Sequence, residues 1–223
     1  MGLADERIGE LLEPYVELHK LAELDRSRVL AQLREYLDLL LRWNERVNLT
    51  SIREPEEVVR RHFGESLFAG VRLFKAGQAG VDEDISFLDF GSGAGFPGLP
   101  IQILYPGLRV TVAESRQKKV AFLREVVRSL ALPTEIWPGR VEQMAPAKMF
   151  DVVGLRAVEE MESAVGLAAD RAISKLAVFC SEGLSYGELS DGWVLSDAVG
   201  IPGSDRTRLA VYGRLSHRRL SHS

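Results

Sequence analysis

Hydrophobic residues follow two different patterns along the chain, and each pattern predicts a different kind of element. Up to about Val71, apolar residues recur every three or four positions, which is typical of helices that bury one face. This spacing predicts a helix over about Asp5 to His19 and a longer helix with Asp25 as its N-cap. The Glu54-Pro55 pair predicts the start of a further helix, and the polar segment from Gly77 to Asp84 is expected to be a connector.

From Ile85 onward, short runs of β-branched and aromatic residues alternate with helical spacing. This alternation predicts a parallel sheet with helices on both faces. Only Gly200 to Asp205 separate the last two strands, which leaves no room for a crossover helix, so these two strands must be antiparallel. The predicted strands cover about Ile85–Phe90, Val110–Ala113, Thr134–Trp137, Phe150–Val153, residues 175–180, Trp193–Val199 and Arg208–Tyr212.

The segment between the first predicted strand and the next helix is rich in glycine. It reads D-F-G-S-G-A-G-F-P-G from Asp89 to Gly98. Glycine lets the backbone approach a ligand closely, and the helix behind the turn offers unpaired N–H groups; Pro97 suits the first turn of that helix. The segment therefore predicts a cradle for a nucleotide cofactor, although an ordinary strand-turn-helix connection can have the same composition.

Two glycine patterns overlap in this turn. Counted from Gly93, the spacing is the G-x-G-x-x-G of dinucleotide sites, whereas counted from Asp89 it is the D-x-G-x-G-x-G of S-adenosylmethionine sites, with Gly91, Gly93 and Gly95. The dinucleotide pattern needs its first glycine directly after the strand, and that glycine is Gly91. An acid at the strand end can also meet the positively charged methionine end of S-adenosylmethionine. The second pattern therefore fits better.

Polar residues follow other predicted strands at the same edge of the sheet. Glu114 follows the second strand, 23 positions after Gly91. That is close to the spacing of ~20 residues at which an acid binds the ribose hydroxyls of an adenosine cofactor. The turn 140–142 follows the third strand and Arg156 follows the fourth. Because ligands of such sheets bind at the carboxyl ends of the strands, these residues are expected to lie together.

The order of elements predicts an α/β fold of the Rossmann-like class I methyltransferase type. It has a mostly parallel sheet of seven strands with an antiparallel last strand and an N-terminal helical extension. We expect residues 1–80 to form this extension, packed on a methyltransferase domain over residues 81–223, in one globular unit and as a monomer. A chain of 223 residues is long enough to bury such a core.

The composition limits the kinds of ligand and partner that the chain is expected to bind. With one cysteine, Cys180, and four histidines, neither a disulfide nor a metal site is expected. No apolar run spans a bilayer and the N-terminus lacks a signal region, so a cytoplasmic location without a membrane partner is expected. The net charge is −4, yet residues 91–140 carry seven basic and three acidic side chains, and residues 201–223 carry five arginines and one aspartate. Such stretches can approach phosphates or can simply be solvated faces.

Four stretches together resemble one known family over about residues 33–212. They are W-N-E-R-V-N-L-T-S-I-R-E-P-E-E-V at 43–58, R-H-F-x-E-S-L at 61–67, D-F-G-S-G-A-G-F-P-G-L-P at 89–100 and K-K-V-A-F-L-R-E-V at 118–126. In order and spacing they are similar to the bacterial 16S ribosomal RNA guanine-N7 methyltransferases, also called RsmG or glucose-inhibited division protein B. The resemblance implies S-adenosyl-L-methionine as methyl donor. It implies one guanosine of 16S rRNA in the small ribosomal subunit as acceptor.

The resemblance also assigns site residues. It implies cofactor contacts at Gly91, Phe96, the Val141-Glu142 pair and Arg156. We expect Arg156 to be catalytic, orienting either the cofactor end or the target guanine. Asn48 and His62 are candidates for the RNA-facing side, or equally a local backbone cap and a satisfied helix histidine. The chain departs from the family at Leu155, at Glu182-Gly183 and in a shortened connection over 183–192. Glu182 stands where the family has a positive charge on the side that RNA should approach, so this departure bears on RNA binding.

The chemistry suits a site without an obvious nucleophile. Guanine N7 already carries a lone pair and the sulfonium methyl group is already electrophilic, so catalysis requires mainly alignment, which can contribute about 7–11 kcal/mol. Three other functions share parts of the pattern: a small-molecule methyltransferase, a nicotinamide-dependent oxidoreductase, and a non-catalytic cofactor-binding module. The first of these would not need the basic stretch around residues 116–128.

Overall fold

A single mixed sheet forms the centre of the protein in a computed structural model that describes residues 2–74, 84–158, 160–181, 189 and 192–215. Its strands are β1 (Ser86–Phe90), β2 (Arg109–Ala113), β3 (Glu135–Trp137), β4 (Phe150–Leu155), β5 (Ala172–Ser181), β6 (Trp193–Gly200) and β7 (Thr207–Arg214). Their spatial order is β3-β2-β1-β4-β5-β7-β6. The first five strands are parallel, and β7 is antiparallel to both of its neighbours. The predicted class of fold and the antiparallel final pair are confirmed.

Helices cover both faces of this sheet, as predicted. They are α1 (Asp5–Leu12), α2 (Glu23–Asn44), α3 (Pro55–Val58), α4 (Glu65–Phe74), α5 (Gly98–Leu104), α6 (Gln117–Ser129) and α7 (Met161–Arg171). A π-helical turn over Val59–Gly64 joins α3 to α4 without a break, and short 3-10 helices lie at Leu18–Lys20 and Val141–Gln143. In the part of the chain that the structure describes, no helix has the length and apolar character needed to cross a membrane.

The helix boundaries differ from the sequence prediction in two places. The first helix ends at Leu12 rather than near His19, because Pro14 has no N–H with which to continue the helical hydrogen bonds. The second begins at Glu23, so Asp25 lies in its first turn and is not the N-cap. The start at Pro55 is confirmed. Of the predicted connector from Gly77 to Asp84, residues 77–83 lie outside the described residues.

Alternate residues of the central strands point into two separate cores. Phe87 of β1 joins the larger core, which contains the buried residues of α1, α2, α4, α5 and α6. Leu88, the next residue, joins the smaller core beneath α7. The helices before residue 75 thus pack on the same sheet face as α5 and α6, while the division at residue 80 into two parts remains a prediction.

The glycine-rich turn between β1 and α5 lies against the N-terminal helices. Gly91, Gly93 and Gly95 all have positive φ angles, of 69°, 61° and 98°. The hydroxyl of Tyr36, on α2, donates to the carbonyl of Ala94 in the middle of the turn. Residues with a side chain rarely adopt such φ angles, so the turn depends on glycine at these positions.

Replacing Gly95 with alanine is expected to lower the free energy of unfolding by about 1–3 kcal/mol. The new Cβ would lie 2.6 Å from Leu99 Cδ1 and against the Tyr36 hydroxyl. Urea denaturation measures the loss. Gly166→Ala is the matched control, because a Cβ at this position in α7 meets nothing within 4 Å and alanine favours a helix by about 0.5–1 kcal/mol. Equal effects of the two substitutions would contradict the prediction.

Candidate active site

Two adjoining cavities open at the carboxyl ends of β1, β2 and β4. The strand-end cavity, with a volume of about 240 Å³, lies between Phe90, Glu142 and Leu167. The helix-side cavity, of about 490 Å³, is lined by residues that include Thr50 and Phe96. The two cavities form one cleft because they share four lining residues, which are Gly91, Glu114, Ser115 and Val158.

The structure brings most of the predicted site residues to this cleft. Gly91 and Glu114 line both cavities. Val141 and Glu142, in the 3-10 helix after β3, line the strand-end cavity. The helix-side cavity is lined by Gly93, Phe96, Arg156 and His62. Of the predicted set, Asp89 and Gly95 line neither cavity.

Asp89 lies beneath the glycine-rich turn and not in the cleft. Its side chain is fully buried, and its Oδ2 accepts hydrogen bonds from Ser92 Oγ (2.6 Å) and from the Gly98 N–H (2.8 Å). A Cβ on Gly98 would come within 2.8 Å of that oxygen, so glycine is required there. Burial raises the Asp89 pKa to about 6. Asp89 thus holds the turn through these two bonds, and its predicted contact with a cofactor stays a prediction.

Glu114 is held by two backbone N–H groups of residues that line the helix-side cavity. Its Oε2 accepts from the Gly93 N–H at 3.0 Å, and its Oε1 accepts from the Arg116 N–H at 2.7 Å. The two bonds fix the carboxylate at the point where the two cavities meet. Because a carboxylate offers about four acceptor positions, two remain for hydroxyl groups of a ligand.

Arg156 makes its hydrogen bonds with the N-terminal helices, and its guanidinium lies over the Phe179 ring of β5 at 5.6 Å. Its Nη2 donates to Glu65 Oε2 at 2.6 Å and to the Arg61 carbonyl at 2.7 Å, and its Nη1 donates to His62 Nδ1 at 3.1 Å. The ion pair is buried, with side-chain exposures of 12% for Arg156 and 4% for Glu65. These contacts join the end of β4 to the π-helical turn.

Glu65 is the site residue that the sequence analysis missed. At 100° per residue of a regular helix, Glu65 would lie on the opposite side from Phe63, which the apolar spacing places inside. The π-helical turn just before Glu65 changes that geometry, and residues 63–67 are all buried. The sequence contains one indication of a role for Glu65: it is the single carboxylate of the R-H-F-G-E-S-L motif, three residues after His62.

His62 is a neutral side chain with both ring nitrogens bonded. Since Arg156 can only donate, His62 Nδ1 accepts, and Nε2 carries the proton that is donated to Thr50 Oγ1 at 2.7 Å. Its ring stacks on Phe96 with centroids 4.6 Å apart, and Phe96 stacks on Tyr36 at 5.5 Å. Burial, together with Arg156 and Arg61, lowers the His62 pKa to about 3.

Neither Asn48 nor Leu155 lines the cleft. Asn48 is exposed and its side chain makes no hydrogen bond among the described residues, so the capping role falls to Asn44 instead. Leu155 is buried in the core beneath α7. Glu182, Gly183 and nearly all of the shortened connection over 183–192 lie outside the described residues.

Solved structures of other proteins share the fold of this chain. MtNAS in complex with MTA and tNA is 16% identical, with a TM-score of 0.56 over 94% of this chain and 86% of that one. TrmN from Thermus thermophilus is also 16% identical, with a TM-score of 0.53 over 70% of this chain and 53% of that one. At this level of identity the likeness concerns the fold alone, and it agrees with the Rossmann-like class I arrangement.

Sequence comparison identifies the family. Residues 29–178 match the model of the GidB family, described as rRNA small subunit methyltransferase G. The chain belongs to this family. It is 39% identical to ribosomal RNA small subunit methyltransferase G from one strain of Streptococcus pyogenes over 141 residues (61% of this chain, 57% of the relative). It is 39% identical to that of a second strain over 153 residues (66% and 62%). The chain thus spans about three-fifths of the length of the curated relatives it matches.

Replacing Arg156 with alanine is expected to lower the free energy of unfolding by about 3–5 kcal/mol, because it leaves the Glu65 carboxylate buried without a partner. The double variant E65Q/R156A removes the buried charge as well and should recover part of this loss. Urea denaturation at pH 7 measures both.

Arg72→Ala serves as the control for the ion pair, because the pair of Arg72 with Asp197 is exposed (42% and 40%) and its loss should cost under about 1 kcal/mol. Equal instability of R156A and the double variant would show that the buried charge is not the cause.

Replacing His62 with asparagine is expected to reduce the loss of stability on acidification. Between pH 6.5 and about 3 the unfolded chain binds a proton at His62 that the folded protein excludes, so stability falls as the pH drops through this window. From pH 7 to pH 5 this contribution is about 2 kcal/mol. The raised pKa of Asp89 has the opposite effect: it increases the free energy of unfolding as the pH falls from about 6 to 3.8. This effect is present in the wild type and in the His62→Asn variant alike. Urea denaturation at pH 7 and pH 5 compares them, and identical pH dependence would refute the prediction.

Proposed function

We propose that this chain transfers a methyl group from S-adenosyl-L-methionine to N7 of a guanosine in 16S rRNA. Family membership supports the reaction, and the cleft at the carboxyl ends of the strands supports a two-part site for donor and acceptor. The partner would be the 16S rRNA or the small ribosomal subunit, in the cytoplasm. All the residues named below come from one copy of the chain, and we propose that it acts as a monomer.

The strand-end cavity fits the adenosine part of the cofactor. Gly91 forms its border, and a Cβ at this position would lie 3.1 Å from Val158 Cγ2 and fill the space between them. Glu114 has acceptor positions left for the ribose hydroxyls, and Val141 and Glu142 form the opposite wall. Gly93 and Phe96 lie further along the cleft, on the side of the methionine end. Asp89 and Gly95 contribute by shaping the turn.

The helix-side cavity fits the acceptor. Arg61, Arg116, Lys119 and Arg156 are among its lining residues, against the single carboxylate of Glu114, so its charge suits a nucleotide with its phosphates. When bound, S-adenosylmethionine supplies a methyl group activated by its sulfonium; the bond from N7 to the methyl carbon forms as the carbon–sulfur bond breaks, and the positive charge passes to the guanine ring. The protein's task is therefore to align the acceptor.

Arg156 is better described as a positioning residue than as a catalytic one. Its guanidinium is already bonded to Glu65, to the Arg61 carbonyl and to His62. These bonds hold the π-helical turn against the end of β4 and thereby shape one wall of the helix-side cavity. We propose that loss of Arg156 lowers methyl transfer by at least about tenfold through misplacement of that wall.

The proposal predicts methyl transfer to one guanosine of the small subunit. The purified chain is incubated with isotope-labelled S-adenosylmethionine and unmethylated 30S subunits or 16S rRNA, and digested nucleosides are analysed by mass spectrometry. The expected product is 7-methylguanosine at a single site, because the cleft joins a cofactor cradle to a positively charged acceptor cavity. Binding of S-adenosylhomocysteine is measured in parallel by calorimetry.

Gly91→Val should abolish both binding and transfer, because φ at this position is +69° and the side chain would meet Val158. Gly200→Val is the matched control, since a Cβ there meets nothing within 4 Å. Cofactor binding without label in any RNA would overturn the proposed function and leave the cofactor assignment standing. Label in a small molecule of a cell extract, with none in RNA, would favour a small-molecule methyltransferase instead.

A further inference from the structure

The hydroxyl oxygen of Thr50 has two hydrogen-bonded neighbours in the structure. This oxygen, Oγ1, accepts a hydrogen bond from the Ile52 N–H at 3.2 Å and lies 2.7 Å from His62 Nε2. Thr50 lines the helix-side cavity together with His62, Phe96 and Arg156. Either Thr50 or His62 can be the donor of the hydrogen bond between them, depending on the tautomer of His62.

The neighbouring residues settle that direction. A guanidinium has donors only, so the bond between Arg156 Nη1 and His62 Nδ1 requires Nδ1 to accept. A neutral imidazole carries one proton, which must then be on Nε2 and be donated to Thr50. Arg61 and Arg156 both disfavour a second proton on this buried ring. The chain of hydrogen bonds that starts at Arg156 and passes through His62 therefore ends at Thr50 Oγ1.

With both of its acceptor positions filled, the Thr50 hydroxyl can only donate. A threonine oxygen has two lone pairs, here occupied by the N–H of Ile52 and of His62, and one proton. That proton has no acceptor among the residues that the structure describes. The backbone of Thr50 is fixed as well, because its N–H donates to Asn44 Oδ1 at 3.0 Å and its carbonyl accepts from Asn44 Nδ2 at 2.9 Å. Thr50, which lines the helix-side cavity, therefore has one hydroxyl proton left for a ligand.

We propose that Thr50 donates this hydroxyl proton to O6 of the target guanine and so selects guanine over adenine. The inference rests on the proposed function. The edge of guanine that carries N7 presents two acceptors, N7 and O6, whereas adenine has an amino donor in place of O6. The N7 lone pair is consumed in the reaction, so O6 is the acceptor left on that edge for recognition. An amino group facing a hydroxyl that can only donate would leave both unpaired, which a buried site strongly disfavours.

The test combines two variants with two bases. Thr50→Val keeps the shape of the side chain and removes the hydroxyl, and Thr50→Ser keeps the hydroxyl. The substrates are 30S subunits whose 16S rRNA carries guanosine or 2-aminopurine riboside at the methylated position; the second base retains N7 and lacks O6. The measured quantity is kcat/KM for methyl transfer, with S-adenosylhomocysteine affinity and thermal unfolding as controls of cofactor binding and folding.

The wild type should prefer guanosine by about 10–100-fold, the range for loss of a good base contact. Thr50→Val should reduce this preference by a similar factor, because the guanosine rate falls much more than the 2-aminopurine rate, whereas Thr50→Ser should behave like the wild type. Because both enzymes meet the same two bases, differences in N7 reactivity cancel in this comparison. Inosine, which retains O6, should be methylated by the wild type at close to the guanosine rate, and this arm needs no variant.

Several results would overturn the assignment of Thr50. Equal losses on both bases in Thr50→Val would show that Thr50 only supports His62. An unchanged guanosine rate in that variant, or equal wild-type rates on guanosine and 2-aminopurine, would show that no such contact exists. Absence of any transfer by the wild type would overturn the proposed function itself and this inference with it, so the two failures are distinguishable.

Discussion

The buried ion pair between Arg156 and Glu65 is the constraint on which the rest of the site depends. A charged group removed from water is stabilised only if its partners are in place, so the guanidinium at the end of β4 and the carboxylate of α4 require each other. This ion pair holds the π-helical turn against the carboxyl end of β4. His62 then stacks on Phe96, and the wall of the helix-side cavity is formed.

The glycine-rich turn contacts the π-helical turn through the stacking of Phe96 on His62. Asp89 holds the turn from beneath through Ser92 and Gly98, while Tyr36 holds it from the N-terminal helices through the carbonyl of Ala94. Phe96, at the end of the turn, lies between the rings of Tyr36 and His62. The cleft is therefore shaped jointly by the sheet and by the helices that precede it.

Much of this could be predicted from the sequence, because it depends on local signals. The alternation of strands and helices, the glycine spacing, and the positions of Glu114 and Arg156 after their strands are all readable along the chain. The helix boundaries were less accurate. The apolar spacing continues past Pro14, which ends the first helix at Leu12, and the second helix begins two residues before the predicted N-cap Asp25. The prediction failed most where the partner is distant in sequence. Nothing local indicates that Glu65 meets a residue 91 positions away.

The two cavities of the cleft are built from different parts of the chain. Every described residue that lines the strand-end cavity comes from residue 90 or later, whereas residues 49–52, 61 and 62 contribute to the helix-side cavity alone. Substitutions in that early stretch can therefore alter the wall of the helix-side cavity while the strand-end cavity stays intact. In evolutionary terms, one cavity can change its lining through the N-terminal helices without any rebuilding of the sheet that forms the other.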